Sequence, residues 1–67
     1  MTPAEKGQRY AKIFRKAGVY LGKGNIARAV AVLKEGETLA TGLGDLTMAR
    51  RFADEAQRAL RPPAAAG

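Results

Sequence analysis

Sixty-seven residues suffice for one domain that offers at most a surface groove, not a catalytic cleft between lobes. Cysteine, histidine, serine and tryptophan are absent, which removes the usual thiol and hydroxyl nucleophiles, the commonest metal ligand and the proton shuttle of neutral pH; the chain reads as a non-enzyme with no cofactor and no metal. The formal net charge of +6 is uneven: residues 1–24 carry six basic side chains against one acid, residues 25–67 six against five, so an acidic partner is expected to meet the first third of the chain.

Apolar residues make up 46% of the chain, too many for a disordered segment, but much of this is alanine and only Tyr10, Phe14, Tyr20 and Phe52 are aromatic. The core is expected to be thin. At this size, with no disulfide to staple it, a homodimer stands as an alternative to a monomer. A cysteine-free domain without a signal-peptide pattern or a membrane-length apolar run suits the cytoplasm.

Thr2-Pro3-Ala4-Glu5 reads as a helix start: threonine as cap, proline in the first turn, and glutamate three residues on to complete a capping box. The first helix is expected to run to about Leu21. Tyr10, Ile13, Phe14, Ala17 and Leu21 recur at three- and four-residue steps and make its apolar stripe, with Arg9, Lys12, Arg15 and Lys16 on the other side. Gly22-Lys23-Gly24 breaks the helix, and Asn25 is suited to cap the next, from Ile26 to about Thr41. Ile26, Ala29, Val30, Leu33, Gly36 and Ala40 form its inner face. A glycine on a buried helical stripe implies close approach of a neighbouring helix. Gly42-Leu43-Gly44 ends this helix, and Asp45 caps a third that runs to Leu60 or Arg61, with Met48, Ala49, Phe52, Ala53, Ala56, Ala59 and Leu60 inside. Arg51 with Glu55, and Asp54 with Arg58, are spaced as ion pairs on its solvated face. Pro62 and Pro63 stop it, leaving residues 62–67 as a flexible tail.

The two helix openings look alike: Gly24-Asn25-Ile26 with Ala29, and Gly44-Asp45-Leu46 with Ala49, twenty residues apart. The fold class that follows is all-α, a three-helix array in residues 1–61: a helical hairpin with a third helix packed across it.

The stretch from Ile13 to Thr41 resembles a single tetratricopeptide repeat, a pair of antiparallel helices marked by small and large residues at fixed spacing. Ile13 stands at the family's first large position, Ala17 at a small one, Tyr20 at its tyrosine, Gly24-Asn25 at its turn, and Ala29, Leu33 and Gly36 at the small, large and small positions of the second helix. Lys16 departs from the usual leucine and Thr41 from the usual proline. The resemblance implies one repeat followed by a capping helix, and a role in protein binding.

Two features bear on binding. Gly22-Lys23-Gly24-Asn25-Ile26-Ala27 has the outline of a glycine-rich phosphate loop, but no strand precedes it, so an inter-helix turn is the expected reading. Arg9, Lys12, Arg15, Lys16 and Lys23 are the candidate binding residues, and Lys6 is expected to extend their stripe. An acidic protein is the first-choice partner for this face, and the chain is then a small adaptor or regulator, in a bacterial or phage setting to judge by its alanine, arginine and glycine bias. The alternative is a nucleic-acid-binding regulatory protein using the same face, although no recognition-helix signature accompanies it. An anionic membrane surface ranks third.

Overall fold

A computed structural model describes residues 1–61; the tail expected at 62–67 lies outside the described residues. The chain forms three α-helices: α1 over Pro3–Gly22, α2 over Ile26–Gly42 and α3 over Leu46–Leu60. The all-α three-helix array expected from the sequence is the fold observed.

Each helix starts where a side-chain oxygen supplies an acceptor for an otherwise unpaired amide. Thr2 Oγ1 accepts from the Glu5 amide at 3.1 Å, Asn25 Oδ1 from that of Arg28 and Asp45 Oδ1 from that of Met48, both at 3.2 Å. The two inter-helix turns repeat one geometry. Gly24 and Gly44 both adopt φ +75°, a left-handed conformation that costs glycine nothing. The amide of the following cap then reaches back to close the helix, Asn25 to the Tyr20 carbonyl at 2.8 Å and Asp45 to that of Ala40 at 2.9 Å. The likeness between the two openings is therefore realised as shared turn chemistry.

α2 is the central helix. It packs against both α1 and α3, whereas the backbones of α1 and α3 barely approach each other. Alanine and glycine allow the close contacts with α2: Ala17, Ala29, Ala40, Ala49 and Ala56 are buried, and Gly36 is covered by the ring of Phe52. The wider space between α1 and α3 is filled by aromatic rings. Phe52, fully buried, meets the ring of Tyr10 edge-on with centroids 5.5 Å apart and stacks on Phe14 at 4.5 Å. Such pairs each contribute about 0.5–1.5 kcal/mol beyond the area they bury.

Several positions expected inside are not. Leu21, Ile26 and Leu60 are exposed, whereas Val32 is buried and Tyr20 packs against the core. The reason is that α2 has neighbours on two sides, so its buried arc widens to include Val32. At the C-terminal end of α1, Tyr20, not Leu21, packs against the core. The expected ion pairs on α3 are replaced too. Arg58 pairs with Glu55 at 3.5 Å, and Arg51 leaves Glu55 to lie 5.5 Å above the Phe14 ring, where the π-face attracts the guanidinium.

Candidate partner-binding face

Arg9, Lys12, Lys16, Val19 and Lys23 follow one another at alternating three- and four-residue steps, which places them on one line along the outer side of α1. All five are exposed, and Arg15 stands beside the line. Two ion pairs occur among the described residues, Lys6 with Asp45 and Arg58 with Glu55, and neither involves a member of this stripe. The one acid of α1, Glu5, accepts from the Thr2 hydroxyl at 3.1 Å at the far N-terminus. Five cationic side chains thus share a face, and none of them is ion-paired with a carboxylate of the described residues.

Lys6 does not extend this stripe, contrary to the expectation. It lies on the inner flank of α1, where its Nζ is 3.2 Å from Asp45 Oδ2, and the buried Tyr10 donates to the same oxygen at 3.1 Å. Three bonds therefore converge on Asp45: the Met48 amide, Lys6 and Tyr10. They hold its carboxyl below the usual carboxylate range, the backbone amide being the largest cause. The Tyr10 hydroxyl is shifted the other way, upward, by burial first and by the Asp45 carboxylate second. This cluster ties the N-terminal half of α1 to the start of α3 across 35 residues of sequence. No local pattern announces it, because the cap role of Asp45 already accounts for the residue.

The basic face is not uniformly polar. Val19, 52% exposed, sits in a shallow depression of about 340 Å³ walled by Lys12, Arg15 and Lys16. Lys16 also borders a second depression, an open groove of about 310 Å³ between α1 and α2. Tyr20, Ala27, Ala31 and Val32 line that groove, and Arg28 and Glu35 stand at its rim with Lys16. The site joins an apolar strip to a cationic one. Val19 was legible as the apolar member of the stripe's own spacing. The groove was not, since it depends on how Tyr20 and Val32 meet across two helices.

The glycine-rich segment after α1 is a turn. The amides of Lys23, Gly24 and Asn25 donate to carbonyls of α1, and that of Arg28 donates to Asn25 Oδ1, so those four amides are already engaged. Lys23 remains exposed at the end of the basic line and contributes as a cation. No group of three or more metal-ligating side chains occurs among the described residues, and none of their helices is long and apolar enough to cross a membrane. Set against family models, curated proteins and solved structures, the chain finds no match.

Proposed function

We propose that the chain is a small non-catalytic interaction module, an adaptor or regulator, that docks an acidic protein partner on the outer face of α1. The observation that carries this reading is the mixture on that face. Arg9, Lys12, Arg15, Lys16 and Lys23 form no ion pair among the described residues, Lys12, Arg15 and Lys16 wall an exposed valine, and Lys16 borders a largely apolar groove. A protein segment with carboxylates flanking an apolar anchor satisfies both elements: the anchor is dehydrated in the groove and the charges steer and orient it. A nucleic-acid backbone would use the cations and leave Val19 and the groove idle. The cations alone support that second reading, and the salt dependence of binding separates the two.

A single tetratricopeptide-like hairpin with a capping helix is the kinship we favour, in a cytoplasmic protein of bacterial or phage origin. In favour of this reading, Ala17, Ala29 and Leu33 are buried and the departing Lys16 is on the surface, while Gly36 is covered by Phe52 of the third helix.

The test is a pull-down from nuclease-treated extract with three baits: wild type, Arg9→Glu/Lys12→Glu/Lys16→Glu, and Val19→Ser. The triple reversal takes the formal charge from +6 to 0 while leaving the core untouched. The reading expects a protein to be retained by wild type, lost by the triple variant and weakened by Val19→Ser. Capture that disappears with nuclease, and a log-log salt slope unaffected by Val19→Ser, would establish the nucleic-acid reading instead. Retention by the triple variant would remove the basic face from the site.

A further inference from the structure

We propose that the flank of α3 turned away from α1 is a dimer surface, on which a second copy of this chain packs antiparallel about a two-fold axis at Ala53. Arg51 points to α1, over Phe14, and Ala53 follows it by two residues, about 200° around the helix, so Ala53 lies on the opposite flank. Leu46 and Leu60 stand seven residues before and after Ala53, on the same line within a narrow angle. Leu46 is 70% exposed and Leu60 56%, the former the most exposed large apolar side chain of the described residues. The described part of the chain leaves both without a cover.

The spacing makes the stripe complementary to itself. A two-fold axis at Ala53 brings each Leu46 against Leu60 of the second copy, and the small side chain at the centre lets the helices approach closely, as an isologous interface requires. Charges on α2 obey the same symmetry. Gly36 faces Phe52, so the level of Ala53 on the antiparallel α2 falls between Lys34 and Glu37. These two side chains share the outer face of α2 with Thr38 and Thr41, on the side away from the α1 groove. Exchanged by the axis, Lys34 meets Glu37 of the second copy, and Glu37 meets Lys34, giving two opposite-charge pairs beside the leucine contacts. The basic face of α1 is left open on both copies, so the dimer would present the proposed docking face twice. The inference does not rest on that docking role.

Sedimentation equilibrium on the full chain tests it. Wild type should be a reversible dimer. Leu46→Gln/Leu60→Gln should raise the dissociation constant roughly 100-fold or more while the far-ultraviolet circular dichroism stays that of a three-helix protein. Lys34→Glu and Glu37→Lys should each weaken the dimer, and the double exchange Lys34→Glu/Glu37→Lys should recover it, since the reciprocal pairs are then restored with reversed sign. A wild type that remains monomeric at the highest attainable concentration overturns the proposal. So does a dimer indifferent to the two glutamine substitutions, or a double charge exchange no better than the singles.

Discussion

Gly36 and Phe52 occupy one space: a Cβ built on Gly36 would lie 2.6 Å from Cδ1 and Cε1 of the Phe52 ring. The ring cannot yield easily, since Tyr10 and Phe14 hold it on its other sides. Two effects oppose each other in Gly36→Ala. Helix propensity favours alanine by about 1 kcal/mol, whereas overpacking a fixed core costs about 1–3 kcal/mol. The clash should win, and the variant should melt several degrees below wild type, with Gly36→Leu lower still. A higher melting temperature for Gly36→Ala would show that the ring moves aside.

Leu33 is 2% exposed in the middle of α2, the helix that both others pack against. Leu33→Ala leaves a cavity at the centre of a thin core and should cost about 2–5 kcal/mol. For so small a domain that is most of its stability. Denaturant titration should show a largely unfolded chain in buffer; a midpoint equal to that of wild type would place Leu33 outside the cooperative core.

Glycines in open space and glycines in left-handed turns should respond with opposite sign. A Cβ at Gly18 meets nothing within 4 Å, so Gly18→Ala should stabilise by up to about 1 kcal/mol through helix propensity. Gly44 also has open space, but its φ of +75° strains any L side chain, and Gly44→Ala should destabilise by about 1–2 kcal/mol. Thermal melts of the two variants read the signs directly. Equal shifts would mean that the α2–α3 turn relaxes out of its left-handed conformation.

Acid should weaken the fold through Asp45. Its carboxyl titrates below the ordinary range in the folded state, so its contribution is complete above pH about 4, where the unfolded chain's aspartate is ionised, and is lost as pH falls through the depressed folded value. Asp45→Asn keeps an oxygen for the Met48 amide and removes the charge that Lys6 and Tyr10 engage. The stability difference between wild type and Asp45→Asn should therefore be constant above pH about 4 and shrink below it. A difference that persists undiminished in strong acid would assign the effect to packing. At the alkaline end the raised Tyr10 hydroxyl predicts a loss of stability as pH climbs past about 10, a loss that Tyr10→Phe should not show.

Much of the fold was legible locally. Thr2, Asn25 and Asp45 mark the three helix starts, the glycine pairs around Lys23 and Leu43 mark the ends, and the buried glycine at position 36 announced a close helix contact. These features act within a turn or two of helix, where capping, propensity and three- and four-residue spacing are decided by adjacent residues. The basic line from Arg9 to Lys23 was legible for the same reason. What only the tertiary structure decided is how wide an arc of each helix its neighbours cover. That choice exposes Leu21, Ile26 and Leu60, buries Val32, and opens the groove beside Tyr20. It also takes Lys6 out of the basic stripe and Arg51 away from Glu55, because Asp45 and Phe14, each distant in sequence, offer those cations a partner that no helical period can reveal.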